Sequence, residues 1–181
     1  MDRSIALKGH ARMTTVATET LLQLIETPLG PFQACWTDRG LYSFEFVRGR
    51  SKSSKASSSQ DLPAGALKLE QAVQDYFQTG DFSWDLRQLD WHGVSAFQQK
   101  VLRHCYRIKP ACTMTYGELA DKVGSPGAAR AVGGAMAKNR WPLLIPCHRV
   151  VGSNGKMTGY SGVGGIDTKQ KLLALETKLT G

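Results

Sequence analysis

The sequence predicts an α+β protein with two domains. Residues 1–92 are expected to form a small N-terminal α/β domain with a short antiparallel sheet. Residues 93–181 are expected to form a mainly α C-terminal domain that contains a helix-turn-helix and a candidate reactive cysteine. Three observations predict this: short apolar segments between turn-forming residues, helical periodicity further along, and a change of charge between the two halves.

Charge is distributed unevenly along the chain. Residues 1–92 carry ten Lys or Arg and eleven Asp or Glu, a balance of −1, whereas residues 93–181 carry thirteen and four, a balance of +9. A solvated surface usually mixes the two signs, so a basic half favours a polyanionic partner. Because no basic amphipathic helix is evident, we expect nucleic acid rather than a membrane.

Composition favours the cytoplasm. No apolar run approaches the length of a membrane span, and the first residues lack the pattern of a secretory signal. The four cysteines and four histidines show no metal-binding spacing, and the reducing cytoplasm would keep the cysteines as thiols. We therefore expect no metal, no cofactor and no membrane contact.

The N-terminal domain begins with a polar leader, residues 1–20. Segments 21–25, 32–36 and 41–46 then predict short strands, because turn-forming residues such as Pro28, Gly30 and Gly40 separate them. Residues 48–60 are basic and rich in serine, which predicts a mobile loop, with a nucleic-acid-binding arm as the alternative.

Helical periodicity follows. Residues 67–77 predict a helix that stops at Thr79-Gly80, and residues 81–94 predict a connection. Ser95 can cap a further helix that Lys109-Pro110 ends. Cys105 and Cys112 are interpreted as core or neutral positions.

Residues 116–138 predict two short helices with a tight break. The first covers 116–123, Gly124-Ser125-Pro126 breaks it, and the second runs from 127 to about 138. The 3.6-residue period places one apolar set inward: Ala128, Val132 and Met136. The opposite face carries Arg130, Gly133, Gly134 and Ala137.

That outward face is nearly smooth. A helix that reads the major groove is expected to offer several polar side chains, and this one offers almost none. Glycine and alanine allow close approach to a groove wall, and Arg130 can act as a wedge into the base stack. Two small helices with a turn are also common in α-rich domains, but the basic half favours DNA binding.

Pro146-Cys147-His148-Arg149-Val150 follows the apolar run 143–145, which predicts a thiol at the end of a buried strand. A thiol attacks as the thiolate, and His148 and Arg149 are candidates to stabilise one. The alternative is a small buried cysteine without chemistry. In extended backbone, neighbouring side chains point to opposite faces, so a direct Cys147–His148 hydrogen bond is not expected.

The last segments offer a pocket and a carboxylate. Residues 152–155 predict a turn, and residues 157–162 predict a glycine-flanked loop suited to a planar guest. A final helix over about 167–179 places Glu176 on the apolar face of Leu172 and Leu173. His148 is one candidate partner for that carboxylate, and solvent at the helix end is the alternative.

The stretch 145–150, with 127–136 and Asn139, resembles the O6-alkylguanine-DNA alkyltransferases, also called methylated-DNA–protein-cysteine methyltransferases, of the bacterial single-function type. The resemblance covers roughly residues 20–178. It implies irreversible transfer of an alkyl group from guanine O6, and possible O4-alkylthymine repair, to a cysteine after base flipping in duplex DNA. Each molecule would react once, and we expect a monomer in solution, with assembly on DNA left open.

The resemblance also implies roles for individual residues. Cys147 would accept the alkyl group, His148 would take its proton through a water, and Glu176 would orient His148. Asn139 would brace the turn before Cys147, and Tyr116 would donate to guanine N3. The residues implied to line the base pocket are Met136, Val150, Met157, Tyr160 and Ser161. Those implied to contact DNA are Arg130, Ala129, Gly133, Tyr116, Gly117, Ser125 and Ser153.

Two departures and two alternatives accompany the resemblance. Arg140-Trp141 replaces the proline-containing dipeptide often seen after the motif asparagine, and residues 162–168 are longer than in the shortest members. A lesion-binding module of the same fold without chemistry is the first alternative function, although such members lack the cysteine. A cysteine hydrolase, which would turn over, is the second.

Overall fold

The computed structural model describes residues 20–47, 57–58, 60–157 and 164–181. An antiparallel sheet of order β1-β2-β3 opens the fold, with β1 at Leu21–Ile25, β2 at Phe32–Thr37 and β3 at Gly40–Phe46. Each of the three predicted strands is confirmed to within one residue. The expected leader lies almost wholly outside the described residues, as does most of the expected loop at 48–60.

Five helices follow in the described part of the chain. Their bounds are α1 Gly65–Thr79, α2 Ala96–Cys105, α3 Tyr116–Lys122, α4 Ala129–Ala137 and α5 Ile166–Thr180. Short 3₁₀ turns cover Leu86–Gln88 and Cys147–Arg149. Strands β4, Met114–Thr115, and β5, Val150–Val151, pair in parallel. The α+β class is confirmed.

Local sequence accounts for the helix ends. Gly80 adopts the left-handed conformation that closes α1, at φ 76°. Ser95 caps α2 as expected, and its side chain accepts from the Gln98 backbone N–H. Thr115 and Glu118 form a reciprocal capping box at α3. Helix α2 ends at Cys105, before the predicted stop at Lys109-Pro110, because the N–H groups of residues 107 and 108 donate to carbonyls only three residues back.

The sheet and the helices share one hydrophobic core. Phe32, Ala34 and Trp36 alternate inward along β2, and their cluster continues without a break to buried residues of α2, α4 and α5. Trp141, which is 0% exposed, lies where the sheet meets the chain before Cys147. In the described residues, no helix is long and apolar enough to cross a membrane.

The predicted strand at 143–145 is wrong. These residues are fully buried but form a turn, in which the Ile145 N–H donates to the Trp141 carbonyl and Leu143 has φ 73°. Proline on both sides removes backbone donors that a ladder would need. The Asn139 amide bridges the turn by donating to the Ile145 carbonyl at 3.0 Å.

The expected helix pair is present. Helix α4 begins at Ala129 instead of 127, because Gly127 has φ 79° and lies outside the helical region. The predicted faces of α4 are confirmed for Val132 and Met136, which are buried, and for Arg130, Gly134 and Ala137, which are exposed. Ala128 and Gly133 are half-buried. Helices α3 and α4 pack against each other and against α2.

Candidate active site

Cys147, His148 and Arg149 form one 3₁₀ turn between Pro146 and β5, and all three are buried. A 3₁₀ turn has about three residues, so successive side chains leave it about 120° apart. The extended backbone expected at Cys147 is therefore wrong, although the two side chains still point in different directions. Cys147 therefore follows closely on the preceding turn, which the Asn139 side chain bridges at the Ile145 carbonyl.

Glu176 of α5 is the centre of the buried polar network. Its carboxylate lies 2.7 Å from Nε2 of His148 and accepts from Nη2 of Arg149 at 2.8 Å. Nε of Arg149 lies 3.1 Å from both carboxylate oxygens. The Tyr76 hydroxyl of α1 donates to it at 2.9 Å, and the Ala111 N–H donates at 3.2 Å. The alternative of a solvent-facing glutamate is excluded, since Glu176 is 0% exposed.

These contacts set the charge states. Burial opposes ionisation of Glu176, but the hydrogen bonds of His148 and Arg149, and the positive charges that both carry in acid, outweigh it and lower its pKa from 4.5 to about 2. Burial lowers the pKa of His148 despite the nearby carboxylate, so the imidazole is neutral at neutral pH. A carboxylate only accepts, so Nε2 of His148 carries the proton.

The other imidazole nitrogen is thereby a base. Nδ1 of His148 is buried and has no hydrogen-bond partner among the described residues. An unprotonated nitrogen can accept a proton directly or through one water. The His148–Glu176 pair therefore presents a proton acceptor from the turn that carries the thiol.

Burial raises the pKa of the Cys147 thiol above its ordinary value, while a hydrogen bond from Asn139 and the charge of Lys169 oppose that rise. The expectation that His148 and Arg149 stabilise a thiolate holds only for the His148 backbone, which lowers the pKa of the thiol, because neither side chain offers it a free positive charge. His148 is neutral, and Arg149 is paired with Glu176. The nearby cation is Lys169, and the resting cysteine is a thiol that needs a base.

Lys169 is a residue that the sequence interpretation missed. It is 0% exposed, and its Nζ donates to the Val150 carbonyl at 2.6 Å. The same nitrogen lies 6.0 Å from the centre of the Tyr116 ring. Its spacing was a usable signal, since Lys169, Leu172 and Glu176 recur at three and four residues on one helix face.

Tyr116 reaches the site because β4 pairs with β5. Thr115 opposes Val151 in that ladder, and Tyr116 begins α3 directly afterwards. A Cβ on Gly133 of α4 would lie 3.9 Å from the Tyr116 ring, so the two helices are close at this point. The structure thus brings Tyr116, Val150 and Lys169 together beside the Cys147 turn.

The remaining expected site residues lie at different depths. Met136 and Val150 are buried, and Met157 is half-buried. On the expected DNA side, Arg130 and Ser153 are exposed, and Ala129, Gly133, Gly117 and Ser125 are half-buried. Tyr160 and Ser161 lie outside the described residues. Across residues 20–47, 57–58, 60–157 and 164–181, no three metal-ligating side chains converge.

Comparison with known proteins gives one consistent family. Residues 96–178 match the model of the 6-O-methylguanine DNA methyltransferase DNA-binding domain. A Methylated-DNA--protein-cysteine methyltransferase of Mycolicibacterium paratuberculosis is 38% identical over 154 residues, which are 85% of this chain and 90% of the relative. A relative of that name from Cricetulus griseus is 35% identical over 84% of this chain and 80% of its own length.

A solved structure agrees in fold. The crystal structure of Mycobacterium tuberculosis OGT in complex with DNA has a TM-score of 0.69 and 34% sequence identity, and the match covers 88% of this chain and 94% of that one. The match extends beyond residues 96–178, so the sheet and α1 are part of the similarity. The chain belongs to the methylated-DNA–protein-cysteine methyltransferase family.

Proposed function

We propose that this protein repairs duplex DNA directly, by moving the alkyl group of O6-alkylguanine onto the sulfur of Cys147. The observation that carries the proposal is a buried thiol in one turn with a neutral imidazole whose Nδ1 is unpartnered and whose Nε2 is held by Glu176. The S–C bond would form as the bond from the alkyl carbon to O6 breaks. The thioether product has no leaving group, so each molecule reacts once.

The proton is the part of the reaction that the protein must manage. Because burial keeps Cys147 protonated, the thiol proton passes to Nδ1 of His148 through a water as sulfur attacks. The imidazolium that forms is stabilised by the carboxylate of Glu176 at 2.7 Å. Arg149 keeps Glu176 ionised throughout.

The departing base needs stabilisation at the same moment. The Tyr116 hydroxyl donates to guanine N3, and the Ser161 backbone N–H meets O6. The carbonyls of Cys147 and Val150 accept from the exocyclic amine. Met136, Met157 and Tyr160 enclose the ring.

Helix α4 delivers the base. Its small residues, Ala129 and Gly133, lie against the minor groove, with further DNA contacts from Gly117, Ser125 and Ser153. The alkyl carbon is out of reach inside a duplex, so the nucleotide is flipped out and exposed Arg130 fills the gap. We propose that the free protein is a monomer.

The stoichiometry of the reaction tests this function. We expect alkyl transfer from an O6-methylguanine duplex to stop after one equivalent per protein molecule, measured by release of repaired duplex against protein concentration. Binding without repaired DNA would identify a lesion-binding module, and repeated turnover would identify a hydrolase. Either result would overturn the proposal.

Replacing Arg130 with alanine separates base flipping from chemistry. Flipping costs a few kcal/mol, and about 1.4 kcal/mol corresponds to a tenfold change in rate. We expect Arg130→Ala to slow repair of duplex DNA by about tenfold or more, while reaction with free O6-benzylguanine changes by less than about twofold. The single-turnover rates of the two substrates measure this. Lys138→Ala, which removes a cation just beyond α4, is the matched control and should not separate the two substrates in this way. Equal slowing of both substrates by Arg130→Ala would contradict the wedge role.

A further inference from the structure

Arg140 and Trp141, which we call the sheet clamp, join the N-terminal sheet to the turn that precedes Cys147. The Phe44 N–H of β3 donates to the Arg140 carbonyl at 2.7 Å, and the Trp141 indole N–H donates to the Leu41 carbonyl at 2.9 Å. Two residues of the turn are therefore tied to one strand.

The Arg140 side chain adds a second set of contacts. Its guanidinium lies 4.2 Å from the centre of the Tyr42 ring and 4.8 Å from that of Trp141. Nη2 donates to the carbonyls of Asp90 and His92 at 2.7 and 3.1 Å. A planar fork that stacks on aromatic rings while it donates to two carbonyls is a geometry that lysine cannot reproduce.

The sheet clamp leads directly to the thiol. The backbone N–H of Trp141 donates to Oδ1 of Asn139 at 3.0 Å, which fixes the orientation of that amide. Nδ2 of Asn139 then donates to the Ile145 carbonyl, which also accepts from the Cys147 N–H at 2.7 Å. The shared Ile145 carbonyl thus ties the Asn139 amide to the Cys147 backbone, and the Asn139 side chain lowers the pKa of the Cys147 thiol against the effect of burial.

We propose that Arg140 and Trp141 are positioning residues for the reaction, through which the N-terminal sheet holds the Asn139 amide against the Cys147 sulfur. This inference rests on the proposed function of Cys147 as the alkyl acceptor. The part of the inference that can be tested separately is that contacts with the sheet control the reactivity of the Cys147 thiol. An electrophile that needs neither DNA nor base flipping can therefore test it.

The test measures the pH dependence of Cys147 alkylation by iodoacetamide, followed by peptide mass mapping at a temperature where each variant is folded by circular dichroism. Lys169 on α5, Cys105 on α2, and His148 and Arg149 on the same turn also face or adjoin this sulfur, and none of them is altered. We expect Arg140→Ala to raise the midpoint pH by roughly half a unit or more and to slow alkylation at neutral pH about threefold or more, because Asn139 no longer stabilises the thiolate.

Two further variants make the result decisive. Arg140→Lys keeps a cation near Tyr42 but loses the planar guanidinium that stacks on Tyr42 and Trp141, so a smaller shift in the same direction is expected. Arg87→Ala removes an exposed ion pair with Asp85 that does not contact residues 139–147, and its midpoint should equal that of the wild type. Midpoints of Arg140→Ala and Arg140→Lys that equal the wild type would overturn the proposal. If Arg140→Ala fails to fold, Arg140→Lys decides. Loss of alkyl transfer in the wild type would refute the proposed function and leave this measurement unaffected.

Discussion

Cys147→Ala is expected to abolish alkyl transfer while the protein still binds alkylated duplex DNA. The sulfur, once deprotonated, is the strongest nucleophile of the turn, so no residual transfer is expected. The side chain is small and its replacement removes one buried atom, so the fold is expected to persist at a cost of about 1 kcal/mol. Single-turnover repair and a DNA-binding titration on the same preparation measure the two properties.

The matched control for this variant is Cys112→Ala. Cys112 is an exposed cysteine of the same chain, and its replacement should leave the transfer rate and the binding unchanged. Loss of both transfer and binding in Cys147→Ala, with a lowered melting temperature, would show that the cysteine is structural. Transfer that persists in Cys147→Ala would exclude it as the acceptor.

Glu176→Gln is expected to have the second largest effect, on stability as well as on rate. The substitution leaves the buried guanidinium of Arg149 without its counter-charge, and breaking a buried pair in this way costs about 3–5 kcal/mol. His148 loses the negative charge that stabilises its imidazolium, so transfer should slow by about a hundredfold or more. Urea unfolding and single-turnover repair measure both effects.

The pH dependence of stability supplies an independent check. The pKa of Glu176 falls from 4.5 in the unfolded chain to about 2 in the folded protein, so the folded state holds its negative charge more strongly. That difference contributes about 3 kcal/mol to the free energy of unfolding above pH 4.5. The contribution is lost as the pH falls from 4.5 towards 2. The lowered pKa of His148 acts in the same direction below pH 6.5.

We expect the urea midpoint of the wild type to decline through this acid range, and that of Glu176→Gln to decline less. Glu70→Gln, which alters a half-buried carboxylate on α1, is the control and should follow the wild type. A Glu176→Gln variant with wild-type stability at neutral pH and a wild-type acid profile would contradict the buried network. The comparison is made between pH 3 and pH 7, where folding remains reversible by circular dichroism.

Local patterns predicted the elements well because their signals lie within a few residues. The strands were marked by turn residues on both sides, and the α4 faces followed from the 3.6-residue period. The same reasoning puts Glu176 on the apolar face of α5, where Leu172 and Glu176 are fully buried and Leu173 is half-buried. A buried carboxylate needs partners, which made His148 a reasonable choice before its contact was known.

Tertiary contacts decided what the sequence interpretation missed. Tyr76 donates to Glu176 from 100 residues away, and no local pattern links them. Lys169 was overlooked because a lysine is ordinarily exposed, although its spacing from Glu176 indicated the buried face. The strand expected at 143–145 is a turn because the Asn139 side chain bonds the Ile145 carbonyl and the two flanking prolines lack the N–H groups that a strand ladder needs. An apolar run alone does not distinguish a buried strand from a buried turn.

The mass of the peptide that contains Cys147 tests the central claim most directly. The wild-type protein is incubated with a duplex that carries one O6-methylguanine, digested, and compared with a sample exposed to undamaged duplex. We predict that one methyl group replaces the thiol hydrogen of Cys147, in proportion to the guanine restored, with Cys35, Cys105 and Cys112 unmodified. Restored guanine without a methyl group on Cys147, or a methyl group on another cysteine, would contradict the assignment of Cys147 as the acceptor.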